Sequence, residues 1–386
     1  MKRTRRVETE LVHAGEPRPR IMGAVNTPIF QSSTYEFGGE GNYHDVRYIR
    51  LNNTPNHVVL HDKLAALERG EAALVTGSGM AAISAALLSL LGQGDHFLSH
   101  RSLYGGTHDF ITKDLPRLGI ECTFVDADDP SSWERALRPT TRGFYVETIT
   151  NPLLEVVDLP GVVEFCKAHR LTSMIDNTCA TPINFRPIER GFDLVLHSAT
   201  KYLNGHSDIV AGAVIGKRDQ VTAIKHKLDH LGGTLDPHAC FLLHRGLKTL
   251  ALRVRHQNES AQKVATFLEE HPSVARVYYP GLQSHSRHAR AREWFGGAGG
   301  LLSFEPKAGV AAAERFLARA ELPACAPSLG GPETLMTRPC TTSHAGLSAE
   351  ERRKQGISDA LIRISIGFEA TEDLIEDFAK ALDPSP

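Results

Sequence analysis

The stretch Ser198-Ala199-Thr200-Lys201-Tyr202 sets two hydroxyls and a primary amine within one tight segment after the apolar run Leu194–His197. Hydroxyls bond phosphate oxygens, and an amine condenses with an aldehyde. Alone, Lys201 reads as a surface lysine opening a loop. Asp176 changes the balance, because it closes another apolar run, residues 172–175, and a carboxylate there can keep a pyridine nitrogen protonated so that the ring accepts electrons. Asp176-Asn177 also fits an ordinary strand-to-turn signal. Gly77-Ser78-Gly79-Met80-Ala81-Ala82 follows a third run and opens a helix, whose free N–H groups and positive dipole end suit a phosphate. The same residues match G-x-G-x-x-A, but a dinucleotide needs an acid at the end of the next strand, and that strand ends Ser99-His100-Arg101. A nicotinamide cofactor is therefore rejected.

Tyr104, in Tyr104-Gly105-Gly106-Thr107, can lie over a planar ring, although an isolated tyrosine is more often packing. The run 143–148 carries Glu147 and leads to Asn151. Arg363 interrupts the apolar run Ile362-Arg363-Ile364-Ser365-Ile366, where a charge needs a partner. The carboxylate of an amino-acid substrate would serve, and so would an internal acid. In an open α/β sheet ligands bind beyond the carboxyl ends of strands, so these residues are expected to converge on one crevice. Together they ask for an aldehyde, a pyridine and a phosphate on one small molecule, which describes pyridoxal 5'-phosphate. No metal is expected: His285 and His288 have no acid or cysteine at ligand spacing and read as exposed.

Chain totals bound what can position such a site. At 386 residues, two packed domains are the prior, and 41% hydrophobic with 23% charged residues describes an ordinary folded protein. The net charge of -2 and the short basic clusters at 2–6, 287–292 and 352–354 give no nucleic-acid footprint. Six cysteines without C-x-x-C spacing fit a reducing cytoplasm. The basic start runs into Glu8 and Glu10 without an apolar stretch and is not read as a secretory signal; the longest apolar segment, 81–91, is too short to span a bilayer, so no membrane role follows.

Residues 1–47 read as an extended arm of the kind that reaches a neighbouring subunit, 48–245 as the cofactor domain and 246–386 as the C-terminal domain. Strands are expected at 72–76, 96–99, 121–125, 143–148, 172–175, 194–197 and 211–215. Helices are expected at 56–67, 80–91, 106–118, 131–137 and 159–169, the alternation of a mostly parallel, doubly wound sheet. Asp236-Pro237 reads as the start of one long bridging helix running past Leu268. Strands at 301–304 and 361–366, a capping box at Ser348 and a final helix complete a smaller α+β domain.

Three motifs together, residues 198–208, Asp176-Asn177-Thr178 and Arg363-Ile364-Ser365-Ile366-Gly367, resemble the Cys/Met-metabolism family of fold-type I (aspartate aminotransferase-like) pyridoxal-phosphate enzymes. That family includes cystathionine γ-synthases, cystathionine β- and γ-lyases, methionine γ-lyases and homoserine sulfhydrylases, and the similarity runs from about Gly23 to the last helix. The resemblance implies Lys201 as the cofactor-bearing lysine and proton shuttle, Asp176 at the pyridine nitrogen, and Tyr104 stacked on the ring and available as an acid. Gly79, Met80, Ser198 and Thr200 would hold the phosphate, with Thr178 among the cofactor contacts. Tyr48 and Arg50 would contact the phosphate in a neighbouring subunit's site, Tyr48 also facing substrate. A dimer is then the minimum unit and a tetramer of two dimers the family's usual state. Asn151 would approach the ring hydroxyl, and Ser328 and Arg363 the substrate carboxylate.

Departures bear on substrate. Asn53-Thr54-Pro55 stands where the family commonly has Asn-Pro-Thr, Arg47 and Pro327 stand where cystathionine enzymes often carry acids, and Gly106 stands where methionine γ-lyases have cysteine. The expected function is a carbon–sulfur lyase of sulfur amino-acid metabolism, acting by β- or γ-elimination. The alternative is a γ-replacement transferase of the cystathionine γ-synthase or homoserine sulfhydrylase type.

Overall fold

In the computed structural model, residues 5–39, 46–126 and 128–383 are described. Part of the N-terminal basic cluster (1–4) and part of the arm (40–45) lie outside them. Seven short apolar runs form the larger sheet: β1 (Ala72–Thr76), β2 (His96–His100), β3 (Glu121–Val125), β4 (Thr141–Glu147), β5 (Thr172–Asp176), β6 (Leu194–His197) and β7 (Gly212–Gly216). Their order is β1-β7-β6-β5-β4-β2-β3. Only β7 runs against its neighbours, pairing antiparallel with both β1 and β6. The other six therefore share one direction, and their carboxyl ends share one edge. The sheet is mostly parallel, as the alternation of runs and helices predicts, and its strands other than the edge strand β3 are largely buried on both faces.

Helices cover those faces. Leu60, Leu64 and Leu67 of the helix Pro55–Glu68 and Val162, Val163 and Cys166 of Leu159–His169 pack on one side. There Trp133, Phe144 and Phe165 meet edge to face at centroid distances of 5.4 to 6.2 Å, each such pair adding about 0.5–1.5 kcal/mol beyond its buried area. Gly79–Leu90 and Arg218–Leu231 cover the other side.

A second sheet follows: β8 (Val274–Tyr278), β9 (Leu301–Pro306), β10 (Ala324–Cys325), β11 (Leu335–Thr337) and β12 (Ile362–Ser365), ordered β10-β11-β12-β9-β8. In β12 the period of two sends Ile362 and Ile364 into a separate core with Phe304, Phe316 and Phe378. Arg363 and Ser365 are thereby turned to the opposite face, which explains how an arginine sits inside an apolar strand.

Four local readings change. The arm contains a helix, Val7–His13. The expected long helix breaks in two, Pro237–Leu247 and Leu250–Glu270, at Lys248 and Thr249. Buried Arg253 occupies the elbow: it donates to Gly246 O at 2.9 Å and to Tyr202 O at 2.7 Å, so the break lets one side chain tie the helix to the loop after Lys201. The segment 105–118 passes through α-, π- and 3₁₀-helical turns rather than forming one helix, with Pro116 near its end. His285 and His288 are half-buried rather than exposed: His285 accepts Arg287 N–H at 3.2 Å, and His288 hydrogen-bonds Pro280 O at 3.0 Å.

Buried neutral histidines staple the large domain. His57 joins Thr54 Oγ1 and Leu235 O, both at 2.7 Å, and His96 joins Thr141 and Thr123 across three strands. Burial lowers His57 and His96 to about 4 and His61 to about 3, from 6.5. The unfolded chain therefore binds more protons between pH 6.5 and about 4, so this contribution is full above pH 6.5 and is lost as pH falls through that window. The urea midpoint should drop on going from about pH 7.5 to about pH 5. A midpoint that holds or rises on acidification would contradict the assignment.

Candidate active site

The carboxyl ends of β1, β4, β5 and β6 open into a cavity of about 720 Å³ closed from the other side by β12 and the segment 327–329. Eleven expected residues line it: Gly79, Met80, Tyr104, Asn151, Asp176, Thr178, Ser198, Thr200, Lys201, Ser328 and Arg363. Their convergence follows from the sheet order. Tyr48 and Arg50 are not among its walls. Tyr48 is part-exposed, and an Arg50 Nη donates to Asp229 O at 2.8 Å.

At the glycine-turn end of the cavity, Ser78 caps the helix Gly79–Leu90 by accepting Ala81 N–H at 3.0 Å, and Ala82 N–H reaches Ser78 O at 3.1 Å. The amides of Gly79 and Met80 precede the intrahelical ladder and remain for a ligand. A Cβ at Gly79 would stand 2.8 Å from Ser198 Cβ, so glycine alone keeps this cradle open. Ser198 N–H donates to Thr178 Oγ1 at 2.8 Å, joining the β5 and β6 loops. The Thr200 hydroxyl donates to Ala211 O at 3.1 Å and accepts Ala211 N–H at 2.9 Å. This bridge braces the turn that carries Lys201.

The Lys201 amine lies between this cradle and β12. Lys201 Nζ donates to Ser328 Oγ at 2.7 Å, and its pKa is lowered by burial and by the charge of Arg363. Arg363 is 4% exposed and donates to Ser328 O at 2.8 Å and to Asn151 Oδ1 at 3.3 Å, while its Nε has no partner. Of the two roles open to this arginine, pairing with an internal acid does not occur among the described residues: its titratable neighbours there are Cys179, Tyr202 and Tyr104. Ser328 carries φ +89°, a left-handed geometry costing about 1–3 kcal/mol in a non-glycine residue, at the point where it meets both cations.

Asp176 faces the cavity and accepts Thr178 N–H at 2.9 Å; burial raises its pKa, opposed by Thr178 and by His197. Beneath it, Glu68 accepts from Asn177 Nδ2 at 3.0 Å and meets His197 Nε2 at 2.6 Å. This buried group sets the ends of β5 and β6 in place.

The walls also include Glu147, Cys179, Val210, Pro327, Thr342 and Ser343. Glu147 stood out only as a polar strand end. Cys179 directly follows Asp176-Asn177-Thr178, and that adjacency was the available signal. Thr342 and Ser343 come from an aperiodic loop that gave none. Among the described residues no metal-binding cluster occurs and no helix is long and apolar enough to cross a membrane.

Pyridoxal phosphate makes three demands: a nucleophilic amine, an acid for the ring nitrogen and an anion cradle. The open notch at Gly79, the cavity-facing Asp176 and the lowered amine of Lys201 fit all three.

The family model described as "Cys/Met metabolism PLP-dependent enzyme" matches residues 8–383. The chain is 42% identical to a cystathionine gamma-lyase of Bacillus subtilis, over 97% of this chain and 99% of that one. It is 40% identical to an L-methionine gamma-lyase of Porphyromonas gingivalis, over 97% and 96%. Among solved structures, the cystathionine gamma-lyase of Lactobacillus plantarum complexed with L-serine superposes with a TM-score of 0.92 at 36% identity, covering 98% of each chain. For metB of Corynebacterium glutamicum the TM-score is 0.93 at 34% identity, again over 98% of each chain. A cavity suited to this cofactor, one matching family model across nearly the whole sequence and relatives of like length lead to one assignment: the chain belongs to the Cys/Met metabolism PLP-dependent enzymes.

Proposed function

We propose that this protein is a pyridoxal-phosphate-dependent carbon–sulfur lyase that acts on cystathionine or a related sulfur amino acid, giving a keto acid, ammonia and a thiol by β- or γ-elimination. The observation that carries the reading is the meeting of Lys201, Asp176 and Arg363 in one cavity. Relatives named as cystathionine gamma-lyase, cystathionine beta-lyase and L-methionine gamma-lyase, all about 40% identical, support it.

Lys201 would hold the cofactor's aldehyde carbon, Asp176 its pyridine nitrogen, Tyr104 its ring face and Asn151 its ring hydroxyl. Gly79, Met80, Ser198 and Thr200 would hold the phosphate, with Thr178 beside them. When bound, pyridoxal phosphate supplies a sink for the electrons of the Cα–H bond. Arg363 binds the substrate carboxylate as a two-pronged donor, assisted by Ser328 and Asn151, and so orients Cα toward Lys201 Nζ. The lowered pKa of Lys201 favours the free base that removes the Cα proton. For γ-elimination the same amine moves a Cβ proton, and the Tyr104 hydroxyl protonates the leaving sulfur.

Tyr48 and Arg50, lying outside the cavity of their own chain, are read as reaching a neighbouring subunit's phosphate and substrate. The dimer is then the minimum catalytic unit and a tetramer of two dimers its assembly. The parts are an arm (1–47), a cofactor domain (48–245) and a C-terminal domain (246–386). Six free cysteines fit a reducing cytoplasm.

Purified protein given cystathionine, cystine, methionine and O-acyl homoserines should release pyruvate or 2-oxobutyrate without added thiol. Strict dependence on a thiol would instead establish γ-replacement. Lys201→Ala should abolish the visible band of the lysine-linked cofactor and slow elimination roughly 10²–10⁴-fold; retention of the band would remove Lys201 from its role. Arg363→Lys, which keeps the charge but loses the fork, should raise KM about 10- to 100-fold, more than it lowers kcat. An unchanged KM would place the substrate carboxylate elsewhere.

A further inference from the structure

Two carboxyls stand side by side at the floor of the cavity. Glu147 and Asp176 end adjacent parallel strands and are register partners, so their side chains leave the same face of the sheet. Both line the cavity, and Glu147 is 6% exposed. Two unpaired carboxylates in one desolvated place cannot both stay ionised without a cation, because each raises the cost of charging the other.

The surroundings decide which one keeps its charge. Asp176 accepts Thr178 N–H at 2.9 Å and feels His197, itself held by Glu68. Among the described residues Glu147 has one polar contact, Tyr104 N–H to Oε1 at 2.7 Å. The groups that face this pair are Tyr145 on β4, Cys179 after β5, His197 and Lys201 on and after β6, Tyr104 from the segment after β2, and Arg363 from β12. No cation among them offsets a charge on Glu147, and Asp176 adds to the cost. The neutral acid can still accept the Tyr104 amide through its carbonyl oxygen, so the hydrogen bond does not require ionisation.

We infer that Glu147 is a neutral positioning residue: its protonated carboxyl ties the Tyr104 backbone to the end of β4, leaving Asp176 as the one anion at the cavity floor. The inference rests on the proposed cofactor site but concerns this chain's own carboxyls. A charged Glu147 would compete with Asp176 for the pyridine proton and weaken its hold. A neutral one supplies fixed geometry without a second field.

The test compares E147Q with E147A, each checked for folding by circular dichroism and thermal melting, in three measurements. In the infrared spectrum of the wild-type protein without cofactor, a protonated carboxyl band should be present at neutral pH and vanish in E147Q, since burial and Asp176 push the Glu147 carboxyl well above the ordinary carboxylate range. Titration of each protein with pyridoxal phosphate should show E147A binding roughly tenfold more weakly and E147Q recovering most of that loss. The pH profile of cofactor absorbance should shift in E147A and less so in E147Q. A carboxyl band that survives E147Q, or is absent from wild type, overturns the proposal; so does an E147Q as weak as E147A. If E147A does not fold, the infrared comparison of wild type with E147Q decides. Because that measurement uses no substrate, failure of the lyase assay and failure of this inference are separate results.

Discussion

A guanidinium buried with no acid partner among the described residues governs the design of this protein. Desolvating a charge is expensive, and proteins usually meet that cost with an opposite charge. Arg363 meets it with neutral oxygens, the carbonyl of Ser328 and the amide oxygen of Asn151. These hold the group in place without cancelling it, so its charge remains available to the cavity and depresses the neighbouring amine of Lys201. A carboxylate introduced beside it would satisfy the arginine and silence the site. The left-handed Ser328 is the local strain that accompanies this choice, since one residue presents its carbonyl to Arg363 and its hydroxyl to Lys201.

That arrangement depends on rigid support from both sheets. From below, the buried Glu68–His197 pair and Asn177 fix the strand ends that carry Asp176 and lead to Lys201. From behind, Arg253 draws three carbonyls, those of Tyr202, Leu203 and Gly246, onto one planar group. Gly205 makes room: a Cβ there would overlap the Arg253 guanidinium, and its φ of +70° suits glycine. The second sheet brings Arg363 to the same place by strand alternation alone.

The sequence was most legible where periodicity and chemistry coincided. Apolar runs ending in Asp176 and before Lys201 located both strands and their shared edge, because a parallel sheet buried on both faces leaves few readings of such runs. Legibility failed where a single residue breaks a pattern through distant contacts. Nothing near Thr249 announces the elbow between Pro237–Leu247 and Leu250–Glu270, which is fixed by Arg253 reaching a loop about 50 positions earlier. The amphipathic helix Arg218–Leu231 passed unnoticed among its lysines and histidines, although Val221, Ile224 and Leu228 are spaced for burial. Walls supplied by Thr342, Ser343 and Val210 come from irregular segments, whose positions follow from tertiary packing rather than local spacing. Tyr48 and Arg50 are singled out by the family resemblance alone, and one chain gives them no place at its own cavity.

The strand order also bears on how the protein is made. β1 lies at the sheet's border, its only strand partner among the described residues being β7, and β7 is the last strand of that sheet to leave the ribosome. During synthesis the segment Ala72–Thr76, with the glycine turn behind it, must wait for well over a hundred residues before its ladder can form. The anion cradle at Gly79 is closed by Ser198, another late arrival. The nascent chain therefore cannot complete this cradle until Ser198 has been made, so on the proposed reading a phosphate would be captured there only after that point in synthesis.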